Sequence, residues 1–258
     1  MAAPEISAKA IRVAPISRQD ADRVVRAVHY SGKVVPNSQL HLGVFLGDRL
    51  EGAMQFGPSM DKRKTLGLVS GTAWNGFLEL NRMGFSDRLP RNSESRAMAV
   101  AFRMIRRAYQ HIEWVISFSD ATQCGDGAIY RAAGFVLTGI KGNKQILEWN
   151  GQRIARKTLD NENFPKPGGK YYSRHLIETG AATALPGFQL RYVYFLNPAA
   201  RERLTVPVLP FDRIQQMGAG MYRGKPVDRS TRTKEQDAGH PLALGGVTPT
   251  RALQHAAA

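Results

Sequence analysis

The sequence predicts an α+β domain, in which strands and hairpins alternate with helices, and three observations carry this. Residues 40–46 and 50–56, LHLGVFL and LEGAMQF, are apolar runs on either side of Gly47-Asp48-Arg49, the pattern of a hairpin. Residues 96–109 place Ala97, Val100, Ala101, Met104, Ile105 and Ala108 at the spacing of a one-sided helix. Residues 114–118, WVISF, form a short apolar run of the length of a fully buried strand.

The chain opens with a strand at residues 11–16, IRVAPI. Ser17 follows as a helix cap, with Asp20 in the capping-box position and Val24, Val25 and Val28 as the apolar stripe. That helix runs out in His29-Tyr30-Ser31-Gly32-Lys33, where Gly32 is the terminator. Residues 57–76 read as a loop, and Asp61-Lys62-Arg63-Lys64 within it as a basic patch, either simply solvated or touching phosphate. Residues 77–83, FLELNRM, make another strand, whose polar Glu79, Asn81 and Arg82 need partners if buried. Glu79 and Arg82 either pair with each other or take part in chemistry. Ser93 is the expected cap of the helix that follows, and free amides at such a helix start attract phosphate oxygens.

Residues 136–140 and 145–149 read as a second hairpin around Lys141-Gly142-Asn143-Lys144, with Asn150-Gly151 as a turn. Residues 171–179 read as a short helix and residues 187–196 as the last core strand. Lys166, Lys170, Tyr171 and Tyr172 mix cations with aromatic rings, which suits phosphate contact with base stacking, or a loop lysine beside packed tyrosines. From Gly218 the composition turns to Gly, Pro, Thr and charge, and residues 218–258 are expected to be a disordered basic tail. Residues 1–10 are expected to be flexible, leaving 11–217 as one catalytic domain.

Charge narrows the function. Of 258 residues, 36 are Lys or Arg and 21 are Asp or Glu, a net charge of +15, which predicts attraction to a polyanion, nucleic acid or anionic lipid. The single cysteine, Cys124, excludes an internal disulfide framework and a multi-cysteine zinc site, and fits a reducing cytoplasm. No apolar run reaches the ~18 residues of a membrane span, and the start of the chain has no secretory pattern.

Asp120 falls at the carboxyl end of the buried 114–118 strand, where open sheets place their ligands, and Tyr130 lies a turn into the next helix. They form an acid–phenol pair suited to moving protons. A helix-capping Asp and a helix-packing Tyr are equally good readings of the spacing. His29 and Tyr30, at the end of the first helix, complete the candidate constellation.

Residues 128–135, AIYRAAGF, resemble the Y-x-x-x-G-F signature of the GNAT acyltransferases. In that family the tyrosine protonates the departing coenzyme A thiolate. A wider set is similar to the Mom-type DNA modification proteins of bacteriophages over roughly residues 10–212. It comprises His29-Tyr30-Ser31-Gly32-Lys33, Glu79-Leu80-Asn81-Arg82, the Ser86 to Ser95 segment, the Ser119 to Gly127 segment and the Arg191 to Pro198 segment. The resemblance implies a GNAT-like three-layer fold, with a central mixed, mainly antiparallel sheet flanked by helices. It implies an enzyme of the bacterial host cytoplasm that converts the exocyclic amine of adenine in double-stranded DNA to a carbamoylmethyl derivative and so protects phage DNA from restriction.

Under that reading Asp120, Tyr130, His29 and Tyr30 serve the chemistry. Arg82, Arg88, Arg91, Ser93 and Ser95 hold acetyl-CoA or a related acyl-CoA, and Lys33, Lys62, Arg63, Lys64, Lys166 and Lys170 hold DNA. The segment between residues 86 and 95 departs from the family's phosphate loop in having no glycine, which bars the closest backbone approach to a ligand. A carbamoylmethyl group also needs a source of amide nitrogen, which simple acyl transfer does not supply. Iron held by His29 and Asp120 is one route, unsupported by any clustered ligand motif. An N-acetyltransferase acting on a protein or small amine, and a non-catalytic DNA-binding protein on the same scaffold, stay open. So does the oligomeric state, a homodimer included.

Overall fold

The computed structural model describes residues 7–122, 125–161, 163–222 and 225–226. Cys124, most of the expected tail and the first six residues lie outside them. A 3-10 turn at Ala8–Ala10 leads into strand β1 (Ile11–Pro15) and helix α1 (Arg18–Val28). The hairpin β2 (Leu40–Leu46) and β3 (Arg49–Gly57) follows, then a one-turn helix α2 (Lys62–Leu66) and β4 (Phe77–Phe85). Next come α3 (Ser93–Ala108), β5 (Trp114–Asp120), α4 (Ala128–Ala132) and β6 (Val136–Gly142). The chain then builds β7 (Ile146–Trp149), β8 (Gln152–Ala155), α5 (Arg156–Leu159), α6 (Tyr172–Glu178) and β9 (Ala182–Ala184), before β10 (Phe188–Phe195) and α7 (Asp212–Gln216).

Seven strands form one sheet in the order β1-β2-β3-β4-β5-β10-β6. Neighbours run antiparallel except β4 and β5, which are parallel. Side chains alternate across this sheet and feed two cores. Val115 and Tyr192 face α3, where Ala97, Met98, Ala101, Phe102 and Ile105 are buried. Trp114, Ile116 and Val193 face the other way, onto Leu68, Val69 and Ala200. On that second side the α1 stripe of Ala21, Val24 and Val25 covers Ala53. The result is α+β, a mixed and mainly antiparallel sheet with helices on both faces.

The expected capping box of α1 holds. The Ser17 hydroxyl accepts from the Asp20 amide at 3.0 Å and donates to its carboxylate at 2.7 Å. Gly134 takes the left-handed conformation that ends α4, at φ 87°.

Three expectations are corrected. Residues 136–140 and 145–149 do not pair with each other: β6 joins β10 in the main sheet, while β7 joins β8 and β9 in a small separate sheet. This small sheet closes its own core of Leu147, Trp149, Leu159, Leu176 and Ala182. Ser93 is the first residue of α3 and not its cap; Asn92 precedes it in a left-handed conformation, φ 67°, with no side-chain capping bond. The basic patch at 61–64 is helical from Lys62, so the 57–76 segment is more than a loop. Glu79 and Arg82 each have further partners besides the attraction between their charges. The Glu79 carboxyl lies against Ser59 and Asn81, while Arg82 donates to the carbonyls of Lys33 and Asn81 at 2.9 and 2.7 Å. Past residue 217, Ala219 and Met221 are buried in the α3-side core.

Candidate active site

The site arises from a mismatch in strand pairing. β4 and β5 are in register only from Phe77 opposite Trp114 to Glu79 opposite Ile116, yet β4 runs on to Phe85 and β5 to Asp120. Two parallel strands that part midway leave a wedge between them. A pocket of about 930 Å³, counting the part open to solvent, fills it. Leu80 to Phe85 of β4 form one wall, and Phe118 and Ser119 of β5, with Gly125 to Tyr130, form the other. The end of α1, at Val28, His29 and Tyr30, and Glu94 at the start of α3 close it. Gly84 lets α1 come this close: a Cβ there would sit 3.0 Å from Val28 Cγ2 and 3.4 Å from the His29 backbone nitrogen.

Of the expected constellation, His29, Tyr30 and Tyr130 meet in this pocket, and Arg82 joins them. Tyr130 is held by its ring, whose centre is 5.3 Å from those of Phe135 and Tyr192. The His29 ring packs against that of Tyr30, tilted by 31° with centres 4.2 Å apart. The Ser31 amide donates to its Nδ1 at 3.2 Å, which puts the proton of the neutral ring on Nε2. Burial, and then the Arg82 guanidinium, push its pKa down from 6.5 to about 3. His29 is therefore neutral at physiological pH and presents an N–H, so its geometry suits hydrogen-bond donation better than general base work.

That shift has a measurable consequence. Between pH 6.5 and about 3 the unfolded chain holds a proton on this ring that the folded chain does not. Stability therefore rises with pH across that window and is lost as pH falls through it. The melting temperature of His29→Asn should fall less between neutral pH and pH ~4.5 than that of the parent chain. Parallel curves would mean that the ring takes up its proton freely when folded.

Asp120 sits one residue beyond Ser119 and is not among the residues lining the pocket; its Oδ1 accepts from the Thr122 amide at 2.9 Å. The acids that line the pocket are Asp126 and Glu94, both buried. Arg131 binds the Asp126 carboxylate at 3.3 Å and its carbonyl at 3.2 Å, and the Tyr192 hydroxyl donates to that same carbonyl. These bonds anchor the turn from which α4 starts. Sequence reasoning passed over Asp126, Glu94, Gly84 and Tyr192. Only Asp126 carried a local signal, an acid between two glycines before a helix.

The expected cofactor residues sit beside the pocket with their polar groups mostly engaged. Arg88 faces Glu51 at 3.4 Å, the buried Ser93 hydroxyl donates to the Pro90 carbonyl at 2.6 Å, and Ser95 donates to the Asn92 carbonyl at 3.2 Å. The uncapped first turn of α3 and the exposed Arg91 are what the structure presents to a phosphate. Among the described residues no three His, Cys, Asp or Glu side chains are grouped to hold a metal ion.

The expected DNA contacts are spread out. Lys33 donates through Nζ to Thr158, which ties the small sheet's α5 to the rim near Arg82. Lys62 lies over the Trp74 ring at 4.5 Å, Lys64 pairs with Asp61 at 2.9 Å, and Arg63 is exposed. Lys166 lies 5.8 Å from the ring of the exposed Tyr171, and Lys170 is bound by Glu178 at 2.8 Å.

The Mom protein family matches residues 10–213 of the sequence. The chain belongs to the Mom protein family. Among relatives, this Mom-family chain is 38% identical over 197 residues to the methylcarbamoylase mom of Escherichia phage Mu, covering 76% of this chain and 80% of that one. Solved structures to which the family member is similar include a Bacillus subtilis acetyltransferase in complex with CoA. That similarity has 9% identity and a TM-score of 0.39, over 72% of this chain and 97% of that one. Another is FeeM, an N-acyl amino acid synthase from uncultured soil microbes, with 15% identity and a TM-score of 0.42, over 76% and 95%. Among the described residues no helix of this Mom-family chain is long and apolar enough to cross a membrane.

Proposed function

We propose that this chain is a DNA modification enzyme that converts the exocyclic amine of adenine to a carbamoylmethyl derivative. One observation carries the reading: in a chain 38% identical to a methylcarbamoylase, Tyr130, His29, Tyr30 and Arg82 converge on a single pocket. The net charge of +15 supports a polyanionic substrate. A base inside a duplex cannot reach a pocket between two strands, so the adenine enters flipped out of the helix.

Adenine's amine is a weak nucleophile, and the chain's residues act on its protons and position. The Tyr130 hydroxyl is the proton donor to the leaving group, and the His29 Nε2–H orients an acceptor atom of the substrate. Asp126, which lines the pocket, or Asp120, one residue beyond the lining Ser119, takes or directs the proton lost from the amine. The buried pocket walls limit water, which strengthens these interactions. α3's first turn with Arg91 would hold the phosphates of an acyl-CoA, which would supply an acyl carbon and a thiolate leaving group; the methylene–nitrogen bond and the amide nitrogen of the carbamoylmethyl product require a separate nitrogen-bearing co-substrate.

Mass spectrometry of nucleosides from the DNA of cells expressing the chain tests this directly. An adenosine heavier by a carbamoylmethyl group is the expected result, and unmodified adenosine would return the chain to an acetyltransferase or a DNA-binding role. Binding to duplex DNA should also weaken steeply with salt, since each phosphate contact releases counterions. If six to ten contacts form, affinity should fall roughly 10³-fold or more between 50 and 200 mM salt. Unchanged affinity over that range would rule out an interface built on the backbone.

A further inference from the structure

Met60 is the most exposed large apolar side chain among the described residues, at 71%. A methionine left in water normally lies back on the surface or sits on a loose loop, and this one is on a braced loop. The Glu79 carboxyl lies against the Met60 amide and the Ser59 hydroxyl. Ser59 meets Thr65 at 3.1 Å, and Thr65 donates to the Asp61 carbonyl from its hydroxyl at 2.9 Å and its amide at 3.0 Å. Asn37 holds the Pro58 carbonyl at 3.1 Å from the other side. Ser59 is turned inward and buried, and the next side chain, Met60, is turned outward.

The loop also leaves the sheet next to the pocket. Gly57 pairs with Glu79, and a Cβ on Gly57 would sit 2.7 Å from the side-chain oxygen of Asn81, a pocket wall residue. Met60, three residues further, is within ~10 Å of that wall by chain reach. Immediately after it comes the basic turn Lys62-Arg63-Lys64.

We infer that Met60 is a wedge that enters the duplex beside the target adenine and occupies the gap its flipping leaves, while Arg63 and Lys64 hold the neighbouring phosphates. This rests on the proposed action on DNA. Extracting a base costs a few kcal/mol of stacking and pairing, and an apolar side chain inserted between base steps offsets part of it. Methionine is unbranched and polarisable, so it packs against whichever base flanks the gap. The braced loop means little ordering is lost on insertion.

The test compares Met60→Ala and Met60→Leu with the parent chain on two substrates: a duplex, and the same duplex with the target adenine in an unpaired bubble. Met60→Ala should modify the duplex ~10-fold or more slowly, since a tenfold loss corresponds to ~1.4 kcal/mol of unfilled gap. It should modify the bubble at close to the parental rate, and Met60→Leu should stay near parental on both. Fluorescence of 2-aminopurine at the target position reads flipping without chemistry and should rise less with Met60→Ala. An equal rise with both proteins, no loss on the duplex, or an equal loss on duplex and bubble would each overturn the wedge. A parent chain that flips the base and leaves it unmodified would instead overturn the proposed chemistry.

Discussion

Tyr130→Phe is expected to lose DNA modification by ~10²-fold or more, the usual scale for a proton donor in the chemical step, with folding and DNA binding near parental. The substitution removes one hydroxyl from the pocket wall and keeps the ring that packs on Phe135 and Tyr192. No cavity opens and no cation leaves the surface, so phosphate contact has no reason to change. Asp120→Asn is the matched experiment on the other candidate. It keeps an oxygen to accept from the Thr122 amide and removes the charge. A loss as large as that of Tyr130→Phe would place the Asp120 carboxylate in the reaction. Parental activity would leave it as the holder of the turn, and Asp126→Asn would then be the variant to measure. Parental activity in Tyr130→Phe, with intact protein, would confine Tyr130 to packing.

Gly127→Ala is expected to lower stability by ~3 kcal/mol, from ~1–2 for a left-handed residue with a Cβ and a comparable amount for overpacking. Gly127 has φ 82°, and a Cβ there would lie 2.5, 2.8 and 3.0 Å from the Tyr192 Cε2, Cζ and hydroxyl oxygen. Tyr192 cannot step aside, because it is fully buried and its hydroxyl is bonded to the Asp126 carbonyl. The melting temperature should drop by roughly 6–12 °C for a chain of this size. Activity should fall further than stability explains, since Gly127 lines the pocket and starts the helix that carries Tyr130. Gly151→Ala separates the two causes: it has φ 72° and nothing within 4 Å of the added Cβ, so it should show the backbone cost of ~1–2 kcal/mol alone. Equal drops in the two variants would mean that the Tyr192 contact yields freely.

Before any tertiary contact, the sequence determines the elements whose signals lie within a few residues of one another. Ser17 with Asp20 starts α1, the 3.6-residue stripe sets α3, and two apolar runs around Gly47-Asp48 make the β2–β3 hairpin, because capping bonds, helical faces and tight turns are short-range. Sequence blocks also placed the chain in its family, with His29, Tyr30, Arg82 and Tyr130 as candidates, and these four do line one pocket. What needed tertiary structure was the choice among distant partners. Residues 136–140 and 145–149 read as one hairpin, yet β6 lines up with β10 and β7 with β8 and β9, as a strand pairs with whichever edge buries its apolar face. Ser93 reads as a cap, yet it is buried with its hydroxyl on Pro90, a fact set by how the chain turns into α3. The pocket itself exists because β4 and β5 stay in register for three residue pairs and then part. That divergence depends on the whole sheet's twist and packing, and it decided that Asp126 and Glu94 line the opening while Asp120 lies one residue beyond its lining.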